Sequence, residues 1–276
     1  MTLENINIDE LNLDKTLLCG QAFRWAKDKD VWCGVVNGEI IILKQVPNNQ
    51  GSTTIYTNVK NEDILKLIEY LNLDMNYTDE INKINLNDFE KTVYNSGKGI
   101  HILRQDLFET IVTFLMSSCN TMNNIRNIVE NLSKAFGTEI ETEFNGKIYK
   151  RYSFPTPNQL SSATIEQIRQ CKAGMRAEYL YSFVQTLNKN PEILNELSKM
   201  TYTDAYKTLL KFKGIGAKVA NCICLFGLHH IDAFPIDTHI QNIIDNKYNG
   251  YSPKNKFGNV AGIMQQYMFY YEAFSK

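Results

Sequence analysis

No apolar run in the chain approaches the roughly 18 residues needed to cross a bilayer, so no membrane span is expected. The opening residues, MTLENINIDE, are acidic and lack the apolar stretch of a secretory signal. Cysteine is sparse. Six in 276 residues make no disulfide framework and are read as reduced, cytosolic thiols. No C-x2-C pair or four-cysteine cluster occurs near the C-terminus, which speaks against an iron–sulfur or structural zinc site. Neither charge is in excess: 29 Lys and Arg face 30 Asp and Glu, for a net charge of −1. By itself that balance argues mildly against a nucleic-acid binder, whose footprint is usually basic. Repeats and low-complexity tracts are absent. The apolar fraction of 43% and charged fraction of 21% are ordinary for a globular chain and exclude disordered, collagen-like and coiled-coil classes.

The even charge hides an asymmetry. Residues 1–105 carry 11 basic and 15 acidic side chains, whereas residues 106–276 carry 18 and 15. Between Ala205 and Ile231 there is no acid, while Lys207, Lys211, Lys213 and Lys218 all fall there. Such a run also suits a plain solvated helix face. The hydrophobic pattern divides at the same place. Val31–Val36 and Glu39–Lys44 are β-branched runs joined by Asn37-Gly38, the strongest short hairpin signal, and Ser52–Val59 reads as a third strand. Ile64–Leu73 has one apolar helical face. Beyond Leu103 the period is helical. Leu107–Leu115 forms a broad apolar stripe, and Ile125–Phe136 forms another that stops at Gly137. The proline-bearing stretch from Arg151 to Pro157 reads as a connector. Helices are expected over 164–171, 176–187, 203–210, 217–226, 238–244 and 257–274. At this length the chain suits one large or two ordinary domains. The expected fold class is α+β: a sheet-bearing domain over residues 1–105, then a helical domain over 106–276.

The chemistry concentrates in Leu209–Ile244, LLKFKGIGAKVANCICLFGLHHIDAFPIDTHIQNII. A helix leads into Lys213-Gly214-Ile215-Gly216, and a second helix begins there. Glycines at this spacing permit a tight hairpin with close backbone approach. The free N–H groups of the second helix make an anion site that suits DNA phosphate. A dinucleotide fingerprint would need a third glycine where Val219 stands and a strand before it. Lys218 lies in the first turn of the second helix, where the helix dipole disfavours an ammonium and burial would lower its pKa further. Such a lysine can be a Schiff-base nucleophile, and it can equally be a phosphate-binding or solvated lysine. Asp237 precedes an apolar-periodic stretch and reads as an N-cap, a role compatible with a catalytic carboxylate across the helix pair. His229, His230, Asp232, Asp237 and His239 show no convincing ligand spacing, so no metal is assigned. Cys222 and Cys224 point about 200° apart on a helix and cannot chelate together.

The hairpin FKGIGAKVANCICLFGL followed by FPIDTH resembles the helix-hairpin-helix–GPD superfamily of DNA glycosylases, and most closely its 8-oxoguanine DNA glycosylase/AP lyases. The likeness runs nearly the length of the chain. LLCGQAFRW (Leu17–Trp25), GIHILRQDLFETIVTFLMSSCN (Gly99–Asn120) and AGIMQQYMF (Ala261–Phe269) resemble the family's entry motif, first long helix and C-terminal substrate helix. The resemblance implies a TBP-like N-terminal antiparallel sheet domain before a helical glycosylase core. Lys218 stands where the family has its nucleophile, and Asp237 where it has the assisting carboxylate. Gly20 matches the glycine whose carbonyl accepts the N7–H that 8-oxoguanine has and guanine lacks. Sites built around a donor reject the analogue lacking it. Cys222 and Phe269 match the pair that sandwiches the flipped base, and Gln265 the reader of its Watson–Crick edge. Gly214, Gly216 and His239 match groups that hold the DNA backbone, which position without reading sequence. No cofactor is implied, although hairpin carbonyls in this family can hold a structural cation. The implied partner is duplex DNA bearing 8-oxoguanine, with no membrane. A bacterial cytoplasmic monomer working at the nucleoid is expected.

Three positions depart from the eukaryotic pattern for reading the orphaned cytosine. Cys119 replaces the first Asn of an Asn run, with Asn120 after it; Asn124 stands where an Arg would be; and Met175 replaces an aromatic wedge beside the matching Arg176. A relaxed opposite-base preference is therefore expected. Lys213 also replaces the usual proline before the hairpin. A monofunctional alkyl-base glycosylase is a rival reading, and Lys218 argues against it. A non-catalytic helix-hairpin-helix DNA-binding protein would not need Lys218, Asp237, Gln265 and Phe269 together.

Overall fold

A five-stranded antiparallel sheet begins the fold in a computed structural model that describes residues 1–7, 10–48 and 52–275. Its elements are β1 (Thr2–Asn7), α1 (Leu13–Leu18), β2 (Ala26–Asp28), β3 (Val31–Val36), β4 (Glu39–Pro47) and β5 (Ser52–Thr57). The strand order is β1-β5-β4-β3-β2. Asn37 and Gly38 both have positive φ, +50° and +82°, and pair Val36 with Glu39 across the turn. This is the primed-turn geometry that matches strand twist. Trp32 sits opposite Leu43, and both are buried with Leu11, Leu17, Trp25, Ile55, Leu67 and Leu71 in one core. Gly34 lies under the Trp25 ring, where a Cβ would come within 2.4 Å, so only glycine fits.

The rest of the described chain is helical except for one hairpin. In order come α2 (Ile64–Tyr70), α3 (Tyr77–Ile81), α4 (Asp88–Gly97), α5 (Leu107–Leu115), α6 (Met122–Phe136), β6 (Glu139–Phe144), β7 (Lys147–Tyr152), α7 (Pro157–Leu160), α8 (Ile165–Ile168), α9 (Arg176–Lys189), α10 (Ile193–Ser198), α11 (Tyr202–Leu209), α12 (Ala217–Phe226), α13 (Thr238–Lys247), α14 (Lys254–Phe257) and α15 (Ala261–Phe274). Among the described residues no helix is long and apolar enough to cross a membrane. The helical core is continuous from Tyr77 through α15 and includes Cys19 and Phe23 from the entry segment. Its centre is α5, whose Phe108, Ile111, Val112, Phe114 and Leu115 are all buried. Gly97 lets α4 press against α15, because a Cβ there would lie 2.2 Å from the Tyr267 ring. Asn87 and Glu90 form a capping box on α4, and the fully buried Glu90 carboxylate is also held by Tyr248 and Lys256.

The structure adds elements that the sequence reading did not name, among them β1, α1, β2, α3, α4, α7 and α10, and it differs at two places that the reading did name. The segment from Arg151 to Pro157 is not all connector, since Arg151 and Tyr152 close β7. Its partner β6 was missed although Asn145-Gly146 carries the same turn signal as Asn37-Gly38, with φ of +51° and +75°. β6 alternates residue by residue, but it is rich in charge, and neither strand of the hairpin buries a residue fully. The hairpin is held instead by the first sheet, through Asn58 to Thr142 at 3.2 Å and Lys147 to Asp28 at 2.9 Å. Arg24 and Arg151 both bind Glu130 on α6, which ties the sheet, the hairpin and the helical core into one polar cluster. The helix expected over 257–274 is broken at Gly258, where φ is +53°.

Candidate active site

One cavity of about 800 Å³ gathers residues from the entry segment, the end of α5, the start of α12, the cap of α13 and α15. Of the expected site residues, Lys218, Asp237, Gly20, Cys222, Gln265, Phe269, Asn120, Gly216 and His239 all line it. Gly214 and Arg176 do not.

The hairpin supplies the first side of the site. Gly214 has φ of +87° and lies against Tyr179 of α9, where a Cβ would come within 2.5 Å. That contact requires a glycine for both conformation and space. Gly216 is the N-cap of α12 and offers no side chain to its free N–H groups, and a Cβ there would meet open space. The helix start therefore presents backbone donors outward, as an anion site requires. Lys218 follows within the first turn. Its Nζ donates to Ser117 Oγ at 3.3 Å and lies 5.5 Å from the centre of the Phe114 ring. No salt bridge to it occurs among the described residues.

Asp237 caps α13, with Oδ1 accepting from Ile240 N at 2.9 Å. Cys222 is one turn beyond Lys218 on the same helix face. Burial pushes its thiol up to about 11, with the Lys218 charge opposing and the Asp237 charge adding to the shift. Cys224 points the other way, and burial and Asp232 push its thiol up to about 12.

From α15, Gln265 is 4% exposed, and its Oε1 is buried without a partner. A buried amide oxygen left unpaired costs free energy unless something occupies the cavity beside it. Phe269 lies one turn on, with the His239 ring edge-on at 5.4 Å. The Gly20 backbone faces Phe269 and Met122, since a Cβ there would lie 3.3 and 3.2 Å from them, and its φ is +81°.

The loop between α5 and α6 lines another side of the cavity. Asn120 is bound within that loop, donating to Met116 O at 3.1 Å and accepting from Thr121 N. Arg176 holds the same loop from outside through the carbonyls of Ser118 and Cys119. Met175 beside it is 72% exposed, and Cys119 is exposed with φ of +48°. Among the described residues no group of three His, Cys, Asp or Glu side chains could hold a metal ion.

Sequence reasoning gave no role to Ser117 or Gln266. Ser117 directly follows a buried helix and is the partner of Lys218. Gln266 is 2% exposed and donates to Cys19 O at 2.6 Å. The signal for the second was in view: two adjacent glutamines in an otherwise apolar helix, where a buried amide needs partners.

Residues 5–111 match the family model for the 8-oxoguanine DNA glycosylase N-terminal domain. An N-glycosylase/DNA lyase of Saccharomyces cerevisiae is 30% identical over 91% of this chain and 72% of its own length. The apo-form structure of the Clostridium acetobutylicum 8-oxoguanine glycosylase/lyase superposes with a TM-score of 0.87 at 30% identity, covering 98% of this chain and 95% of that one. The same clostridial protein with double-stranded DNA containing cytosine opposite 8-oxoguanine gives 0.87 at 29% identity, covering 98% and 96%.

Proposed function

The chain belongs to the 8-oxoguanine DNA glycosylase/lyases, and from that premise we propose that Lys218 and Asp237 carry out its two reactions in the cavity between α12, α13 and α15. It is a bifunctional DNA glycosylase that releases 8-oxoguanine and cleaves the strand at the resulting abasic site. The observation that carries the residue assignment is the Lys218 amine. It opens into the cavity, unpaired with any carboxylate among the described residues.

The duplex bends and the damaged nucleotide swings out into the cavity, at a cost of about a few kcal/mol of unstacking. Phe269 and Cys222 take the base between them. The unpaired Gln265 oxygen meets its Watson–Crick edge, and the Gly20 carbonyl accepts the N7–H. Lys218 Nζ forms a bond to C1′ as the C1′–N9 bond breaks; the base leaves with that electron pair and takes up the proton that the amine gives up. Asp237 stabilises the positive charge that develops at the sugar. Its cap bond to Ile240 fixes the carboxylate for that role. The sugar ring then opens to a Schiff base with Lys218, loss of a C2′ proton follows, and the 3′ phosphate leaves by β-elimination. The amides of Gly214 and Gly216, with His239, hold the strand at its phosphates.

No cofactor enters these steps. The carbonyls of Lys213, Gly214 and Ile215 accept no hydrogen bond among the described residues, so they suit a cation that would brace the hairpin. We further propose that the enzyme acts as a monomer on chromosomal DNA in a bacterial cytoplasm, and that it reads the opposite base loosely. A monofunctional alkyl-base glycosylase would need Asp237 alone and leave the Lys218 amine without a task.

Borohydride trapping on a duplex with a single 8-oxoguanine tests the assignment. Wild-type protein is expected to give a covalent complex and Lys218→Gln none. Trapping that survives in the variant overturns the role of Lys218, and base release without any trapping favours the monofunctional enzyme.

A further inference from the structure

Three successive carbonyls at the end of α1 are treated differently. Cys19 O accepts from Gln266 Nε2 of α15 at 2.6 Å, and Gln21 O accepts from Gln105 Nε2 at 2.9 Å. Gly20 O, between them, accepts no hydrogen bond among the described residues, and Gly20 lines the cavity. The Gln21 side chain secures the same turn from beneath. Its Nε2 donates to Thr16 O at 3.0 Å and to His101 O at 2.7 Å, and its Oε1 accepts from Leu103 N at 2.9 Å.

This bracing answers a need created by the sequence. A glycine at φ of +81° has no Cβ to restrict rotation of the peptide that follows. Its carbonyl holds one direction only if its neighbours are held. Direction matters here because the two competing purines differ in sign at N7. 8-Oxoguanine presents an N7–H donor, and guanine presents a lone pair. A fixed carbonyl oxygen attracts the first and repels the second, whereas a carbonyl free to turn away loses much of that difference. Gln266 reaches Cys19 O from the same turn of α15 that bears Gln265 and Phe269. It thereby sets the Gly20 carbonyl at a fixed place relative to the groups assigned to the base's polar edge and face.

We propose that Gln266 is a positioning residue for lesion selectivity: through the Cys19 carbonyl it fixes the direction in which Gly20 offers its own carbonyl to the base. The inference rests on the reading of Gly20 as acceptor of N7–H. It assigns Gln266 no contact with DNA and no part in the chemistry at Lys218.

The test uses the full chain, two variants and three duplexes. Gln266→Met keeps length and bulk but has no donor. Gln266→Glu keeps the shape and turns the donor into an acceptor facing Cys19 O, and it supplies the same test should the first variant fail to fold. The duplexes carry 8-oxoguanine, undamaged guanine at the same place, or a preformed abasic site. An abasic site leaves the base pocket empty, so its cleavage by Lys218 reports folding, DNA binding and amine chemistry without the Gly20 contact. Single-turnover release of 8-oxoguanine is expected to fall about ten-fold, the scale of one buried hydrogen bond. Release relative to guanine is expected to fall with it, while abasic-site cleavage stays within about two-fold of wild type. Unchanged release, or release and abasic cleavage falling together, overturns the inference. Failure of the wild-type protein to release 8-oxoguanine would instead overturn the function on which it rests.

Discussion

Lys218 on α12 and Ser117 after α5 meet at 3.3 Å, nitrogen to hydroxyl oxygen, although a hundred residues of chain separate them. The Ser117 hydroxyl donates to Phe114 O at 2.7 Å, so its oxygen is left to accept from the amine. The arrangement steers one N–H of the lysine toward Ser117 and leaves the rest of the amine facing the cavity. Ser117→Ala is expected to slow base release and strand cleavage together by about three- to ten-fold, the range of one neutral hydrogen bond at the long end of the distance scale. Single-turnover rates on 8-oxoguanine and abasic duplexes check this. A fall in only one of them argues against a role at the amine.

Asp237 caps α13 and, in the proposed mechanism, is also the assisting carboxylate. Asn is as good an N-cap as Asp, so Asp237→Asn should leave the melting temperature nearly unchanged. It should lower the rate of base release by about a hundred-fold or more, the scale of a lost charged catalytic group. Asp237→Ala loses both functions and should also cost about 1 kcal/mol in stability. Calorimetry beside single-turnover kinetics separates the two. An active Asn variant would reduce Asp237 to a cap.

The loose reading of the opposite base proposed above rests on three positions. Cys119 is exposed where an asparagine would donate, and Arg176 is committed to the carbonyls of Ser118 and Cys119. The exposed Met175 offers shape but no hydrogen bond. Excision rates opposite C, A, G and T are expected to lie within about ten-fold of one another. A drop of a hundred-fold away from C would refute this.

The cysteines should differ sharply in reactivity, because the thiolate is the reactive form. Burial pushes Cys222 up to about 11 and Cys19 and Cys224 up to about 12, and raises Cys33 and Cys171 as well. A thiol raised to about 11 is roughly one part in a thousand thiolate at pH 8. Reactivity at that position therefore grows only as pH rises toward 11. Iodoacetamide at pH 8 should label the exposed Cys119 first and leave Cys222 unmodified, as read by peptide mass spectrometry. Cys222 labelling at the rate of Cys119 would show that the cavity wall opens.

Gly97→Ala tests the seam between α4 and α15. Its Cβ would need the space now filled by the Tyr267 ring, so the helices must part. A loss of about 1–3 kcal/mol is expected, the usual cost of overpacking. Base release should suffer with it, because α15 carries Gln265, Gln266 and Phe269. Thermal melting and activity measured on one preparation decide the point.

The sequence by itself determined what depends on near neighbours. Asn37-Gly38 dictates its turn, the Gly214–Gly216 hairpin dictates a helix start with free N–H groups, and Asp237 dictates a cap. The order of Lys218, Asp237, Gln265 and Phe269 along α12, the α13 cap and α15 was also legible, because it resembles the order of the glycosylase family's motifs. Packing decided the rest. The β6–β7 hairpin, which buries no residue fully, is held by the first sheet, and β1 finds β5 across most of that sheet's sequence. Ser117 becomes the partner of Lys218, and Gln266 closes on Cys19 from the far end of the chain. Short-range preferences set the conformation of each piece. Only burial, which forces each enclosed polar group to find a partner wherever the fold supplies one, fixes which distant pieces meet.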